Sequence, residues 1–163
     1  MLFRSLLEGL QRVLADLRPA ALDRFGLAVA LSALVAQPRR RADGSDLAAT
    51  LAVEGVLPVL PADHDVHVYR IVQEALTNAL RHGGARRAEV RLRAGDQALH
   101  LCVVDDGAGV HAATGGGHGL LGMRERVQAL GGEIHHGPGA AGWQLDVWLP
   151  LAPTPPLPSE TLR

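Results

Sequence analysis

Apolar positions at Leu2, Leu6, Leu10, Val13, Leu14 and Leu17 recur at the spacing of one helical stripe, so residues 2–17 read as a helix that Pro19 stops. A second apolar helix is predicted from Leu22 to about Val35, with Asp23 near its start. The stretch from Pro38 to Gly44 reads as a loop, and Leu47 to Glu54, with Thr50 and Val53, as a strand. A long helix is expected over roughly 62–82, closed by Gly83 and Gly84. Ala88–Arg93 and Leu99–Val104 alternate on either side of Gly95-Asp96 and read as a hairpin. A glycine-rich loop from Asp106 to His118 opens into a helix from about Gly119 to Leu130, which Gly131-Gly132 ends. Glu133–His136 and Trp143–Leu149 form a second hairpin around Gly137-Pro138-Gly139. This order predicts an α/β sandwich, in the α+β sense, with an antiparallel-rich mixed sheet. Hairpin connections argue against a parallel doubly wound sheet.

At 163 residues the chain suits one domain, placed at 21–150, with residues 1–20 as an appended helix and 151–163 as a proline-rich, disordered tail. A hydrophobic content of 47% with only 3% aromatic residues implies a core of Leu, Val and Ala, and little aromatic surface for stacking on nucleic acid. The net charge of −1 gives no global pull toward DNA or an anionic membrane. No apolar run reaches the ~18 residues of a membrane span, and the start lacks the layout of a signal peptide. Cys102 is the single cysteine, which excludes an internal disulfide and fits a reducing compartment. These features together predict a soluble cytoplasmic piece, which could be part of a larger membrane-bound chain.

Lysine is absent, arginine supplies all 16 basic side chains, and Asn78 is the single asparagine. On the long helix Val68, Ile71, Val72, Ala75, Leu76, Ala79 and Leu80 fall within one half of the wheel and must face the sheet. His67, Arg70, Glu74, Asn78 and Arg81 fall on the other half, with Glu74 and Asn78 one turn apart. An amide oxygen there can help hold a magnesium ion, which keeps several waters and accepts phosphate oxygens besides. The carboxylate can orient or deprotonate a phosphoryl acceptor, and Arg81 can balance phosphate charge. An ordinary polar helix face is the rival reading.

Asp105, Asp106, Gly107, Ala108 and Gly109 follow the run Leu99–Val104. A carboxylate at the end of a buried strand must find donors. An adenine amino group is one candidate and the turn's own amides are the other. Glycines at Gly107 and Gly109 let the backbone approach a flat ring. Further on, Gly115-Gly116-Gly117-His118-Gly119-Leu120-Leu121-Gly122-Met123 runs into a helix start, where free amides and the positive dipole end favour phosphate. Its spacing is neither a Walker A loop nor a Rossmann fingerprint, and a plain tether is the rival here.

In this order the three pieces resemble the N, G1 and G2 boxes of the ATPase superfamily shared by gyrase, heat-shock chaperones, histidine kinases and MutL. The likeness is closest to the nitrate-sensor and DesK-like class of two-component sensor histidine kinases. It rests on Tyr-Arg-Ile-Val-Gln-Glu-Ala-Leu-Thr-Asn at 69–78, Gly-Leu-Leu-Gly-Met-Arg-Glu-Arg-Val at 119–127 with Leu130-Gly131-Gly132 behind it, and Leu17-Arg18-Pro19 ahead of Gly26-Leu27. It covers roughly residues 10–150. The resemblance implies the Bergerat ATP-binding fold, a mainly antiparallel mixed sheet on one layer of helices, with ATP and Mg as cofactors. Asn78 would ligate magnesium, Glu74 would assist phosphoryl transfer, and Asp105 would read the adenine amino group. Gly107 and Gly109 would flank the base, while Gly117 and Gly119, with Leu120 beside them, would border the phosphates under a mobile lid. Arg81 and His82 match the family's basic pair after the Asn. His118 sits in the lid, where a phosphate contact and ordinary loop polarity both stay open. The implied reaction moves the γ-phosphoryl of MgATP to a histidine on a dimerisation and phosphotransfer domain, with a response regulator downstream.

Two departures from the family stand out. No histidine precedes His64, so the acceptor that the family carries on an upstream helix is absent from this chain. Residues 1–20 resemble the tail of that dimerisation unit, which implies a kinase fragment or a degenerate gene product. Gly142-Trp143 stands where the family often has Gly-Thr before its last strand, so a hydroxyl near the base is lost and Trp143 is left to pack there. Two other functions remain open at this level: an anti-sigma-factor type of serine kinase, and an ATP-gated interaction module without turnover. Elsewhere the bland readings lead. His135 and His136 should point to opposite faces of a strand, and His64 and His67 lack a third metal partner. Cys102 reads as a small core residue, and Arg39-Arg40-Arg41 as a solvated loop.

Overall fold

The computed structural model describes residues 19–41, 43–61, 63–108 and 117–151, without the side chains of residues 82, 83, 117 and 118. The helix expected over 2–17 and the tail beyond Leu151 lie outside the described residues, as does Gly109. The elements run α1 (Ala20–Val35), β1 (Ala48–Glu54), α2 (His64–Asn78) continuing into a π-turn (Ala79–Gly83), β2 (Arg87–Ala94), β3 (Ala98–Asp105), α3 (Gly117–Ala129), β4 (Glu133–Pro138) and β5 (Trp143–Pro150).

The five strands form one sheet in the order β1-β2-β3-β5-β4. β1 pairs with β2 in parallel, and the other three pairs are antiparallel. A parallel pair needs a crossover, and α2 supplies it. Alternation then sorts the faces. Val90 and Leu92 of β2, Leu99, Leu101 and Val103 of β3, and Leu145, Val147 and Leu149 of β5 are buried in one cluster. The same cluster takes in Leu31 and Leu34 of α1, Val68, Ile71, Val72 and Leu76 of α2, and Met123 and Val127 of α3. The result is a two-layer α+β sandwich with a mixed, mainly antiparallel sheet, as the hydrophobic pattern predicts.

Four local features depart from the sequence reading, each for a physical reason. Gly26, at φ 77° and ψ 177°, interrupts α1 with a conformation that a residue without Cβ adopts at little cost. α2 ends its regular turns at Asn78 and widens into the π-turn, after which Gly84 in the left-handed region (φ 65°) closes it. β4 runs on through Gly137 and Pro138, so the turn of the second hairpin falls at Gly139–Gly142, where the Gly139 N–H donates to Gly142 O at 2.7 Å.

The fourth is the arginine run, which is no solvated loop. The last carbonyls of a helix have no partner within it, and the Arg39 guanidinium donates to Val35 O at 3.1 Å and Leu34 O at 2.6 Å, capping α1. Arg41 donates to Ala85 O at 2.5 Å and so ties this loop to the segment ahead of β2.

The opposite face of the sheet carries a polar and aromatic layer. His100 stacks on Trp148 with centroids 4.7 Å apart and bonds Asp146 Oδ1 through Nε2 at 2.9 Å. His135 meets Trp148 edge-on, while His136 lies against Trp143, so the neighbouring histidines do point to opposite faces. Cys102 is buried on the His100 side, opposite Asp146, and does not belong to the core between sheet and helices. Burial, with Asp146 adding to it, pushes its thiol up to about 11. At neutral pH it is therefore a thiol and not a nucleophilic thiolate.

Candidate nucleotide site

The buried half of α2 is the predicted one, with Val68, Ile71, Val72, Ala75 and Leu76 in the core. Glu74 and Asn78 are left half-buried at its flank, and Arg81 is exposed on the π-turn. Among the described residues the Glu74 carboxylate and the Asn78 amide make no hydrogen bond, so neither is consumed by the fold. A Thr77 hydroxyl that donates to Gln73 O at 2.8 Å shows the contrasting, purely local use of a polar group on this helix.

Glu74 reaches the start of α3. A Cβ placed on Gly119 would collide with Glu74 Oε1 and lie 3.1 Å from its Cδ. The carboxylate thus occupies the space that any side chain at 119 would need, and this is the contact that brings the asparagine helix to the second glycine box. Leu120, next to it, is half-buried and packs against the core. Gly117 opens α3, while the side chains of His82 and His118 are among those not described.

The other half of the site stands at the end of β3. Asp105 is 7% exposed, and its Oδ1 accepts the Gly107 N–H at 2.8 Å. Burial pushes its carboxyl above the usual range, against the opposing effect of that hydrogen bond. Among the described residues Oδ2 has no hydrogen-bond partner. The two sequence readings of this residue therefore divide between its oxygens: one serves the turn and the other is available to a ligand. Asp106 has a different task. Its Oδ1 accepts the N–H groups of Arg86 at 2.6 Å and Arg87 at 2.9 Å, and these donors hold its carboxyl below the usual range. It clips the start of β2 to the end of β3, a role that a bare Asp-Asp-Gly run did not reveal.

Gly142 presses on this turn from the last hairpin. It sits at φ 148°, and a Cβ there would collide with Asp105 O and come within 2.9 Å of the Asp106 carbonyl carbon. Trp143 follows directly as the register partner of Asp105. α2 packs against β3, and alternation puts Asp105 on the same helix-facing side of that strand as Leu99, Leu101 and Val103. The donor set suits MgATP: an amide oxygen and a carboxylate one turn apart, neither hydrogen-bonded among the described residues, with a carboxylate oxygen at the strand end for a base amino group.

This combination, a two-layer mixed sandwich with an asparagine helix facing a glycine-led helix, defines a class of nucleotide-binding domain. Residues 63–153 match the family described as histidine kinase-, DNA gyrase B-, and HSP90-like ATPase, and the chain belongs to that family of ATP-binding domains. Among curated proteins, it is 34% identical over 157 residues to sensor histidine kinase NarS of Mycobacterium tuberculosis, covering 91% of this chain and 35% of that protein. It is 30% identical over 156 residues to sensor histidine kinase MctS of Rhizobium johnstonii, covering 93% of this chain and 33% of that protein. Among solved structures, the Erythrobacter litoralis EL346 blue-light activated histidine kinase matches with a TM-score of 0.56 and 28% identity, over 77% of this chain and 41% of that one. The chain thus spans about a third of the length of the two curated relatives. Among the described residues no helix is long and apolar enough to cross a membrane.

Proposed function

We propose that this chain is the ATP-binding catalytic domain of a sensor histidine kinase. It delivers the γ-phosphoryl of MgATP to a histidine on a dimerisation and phosphotransfer domain, in the cytoplasm, with a response regulator as the next acceptor. The observation that carries the reading is the meeting of Glu74 with Gly119, which sets a carboxylate against the first turn of α3, with Asn78 one helical turn further along α2. Names of the curated relatives support the kinase assignment over a serine kinase or a non-catalytic module. In this reading Asn78 holds the magnesium ion, which supplies positive charge to the phosphates. Glu74 orients the acceptor and takes its proton. The helix start from Gly117 to Leu120 presents amides toward the phosphates, Arg81 and His82 are the basic pair offered to phosphate charge, and Asp105 accepts from the base, which Gly107 and Gly109 are expected to flank.

Calorimetric titration of ATP, with and without magnesium, tests the site. Wild-type protein is expected to bind in a magnesium-dependent way, and Asn78→Ala to lose that dependence together with most of its affinity. Absence of binding to the wild type would overturn the kinase assignment for this chain.

A second test uses Gly119. Ala is the better helix former by about 0.5–1 kcal/mol, so Gly119→Ala should leave the melting temperature unchanged or slightly raised. Its Cβ displaces the Glu74 carboxylate, and misplacing a reacting group by about 1 Å costs roughly 100-fold in rate. Phosphoryl transfer should therefore fall while the melting temperature holds or rises. A parallel fall in both would assign Gly119 to the helix alone.

A further inference from the structure

Trp143 stands on the helix-facing side of the sheet, because it pairs with Asp105 and alternates with Leu145, Val147 and Leu149. Those three leucine and valine side chains are in the core, yet Trp143 is not part of that cluster. Among the described residues its ring meets one other ring, that of His136 on β4, with centroids 5.8 Å apart and planes tilted by 32°. Burial, then the Arg124 guanidinium of α3, pushes His136 below the ordinary histidine range. The His136 ring is therefore neutral at pH 7, and the pair forms an uncharged aromatic shelf. Gly142 fixes where the shelf stands, since its missing Cβ lets the hairpin lie directly on the Asp105–Asp106 backbone.

A half-buried indole outside the core, beside a carboxylate with an oxygen left over, is complementary to a flat ring that carries an exocyclic N–H donor. We propose that Trp143 is the base-stacking residue of the nucleotide site: its indole, backed by His136, packs against the purine whose amino group meets Asp105. The proposal rests on the reading of the Asp105 turn as the nucleotide's base site, and it adds a specificity-determining residue to that site. Stacking here takes the part that a hydroxyl contact to the base would otherwise play. It grips any purine face, while Asp105 selects the amino-bearing one.

The chain has two tryptophans, so Trp148→Phe, on the opposite face of the sheet, leaves Trp143 as the sole indole. In that background ADP is expected to change the Trp143 emission saturably, and inorganic tripolyphosphate, which has no base, to leave it unchanged. Base–aromatic stacking predicts that Trp143→Ala weakens ATP binding by about 5- to 150-fold. Tripolyphosphate affinity should be preserved, and Trp143→Phe should stay within about threefold of wild type. An emission that ADP does not alter would overturn the inference. So would a Trp143→Ala variant that binds ATP as well as or better than wild type, or one that loses ATP and tripolyphosphate equally. In each of these cases wild-type ATP binding survives, and the nucleotide reading with it. Wild-type protein that binds no ATP would sink both.

Discussion

Replacing Glu74 by glutamine is expected to cut phosphoryl transfer by about 10²–10⁴-fold, the usual worth of a general base, while ATP affinity stays within about twofold. The amide is isosteric with the carboxylate, so it keeps the packing against Gly119. Among the described residues the native side chain has no hydrogen bond to lose. What disappears is the ability to take a proton from the acceptor. The check is the initial rate of transfer from labelled ATP to a supplied phosphotransfer domain, alongside the calorimetric affinity. A rate loss without an affinity loss marks an interaction made in the transition state. Equal losses in both would show that Glu74 binds nucleotide and does not act as a base. The same assay reads the acceptor: an acid-labile product is phosphohistidine, whereas an acid-stable one would point to a serine kinase.

Gly142→Ala should be the most damaging single methyl in the described structure. The residue sits at φ 148°, and its Cβ would strike backbone atoms of Asp105 and Asp106, which cannot swing aside as a side chain can. Backbone strain and overpacking each cost about 1–3 kcal/mol, so the melting temperature should fall by on the order of 10 °C. ATP binding should weaken as well, because the wedge parts the hairpin from the Asp105 turn. Gly137→Ala, with open space around its position, serves as the control and should be close to neutral. If both variants melt together, the close approach of the hairpin to Asp105 does not hold in solution.

The strands of the two hairpins were legible because alternation and glycine turns are local signals, and Leu99, Leu101 and Val103 fell on the expected face. The Glu74–Asn78 flank was legible for the same reason, since helical geometry alone separates it from Ile71 and Val72. Other features depend on where distant segments meet. Arg39 looks like any loop arginine until the carbonyls of Leu34 and Val35 are found within its reach. The need for glycine at 119 lies in a side chain 45 positions upstream, and the aromatic shelf exists because β5 sets Trp143 opposite Asp105. The parallel pairing of β1 with β2 likewise follows from the α2 crossover and not from any pattern within β1.

The strand order has a consequence for how the protein is made. β5 lies between β3 and β4, so among the described strands the last to leave the ribosome is an interior one. Until Trp143–Pro150 has emerged, β3 carries an open edge bearing Leu99, Leu101 and Val103, and β4 has no strand to pair with. An apolar strand with one side unpaired invites association with other chains. A message interrupted shortly before these codons would therefore yield an aggregation-prone product and not a shortened but working domain, and the interval before β5 appears is when the nascent chain most needs a chaperone.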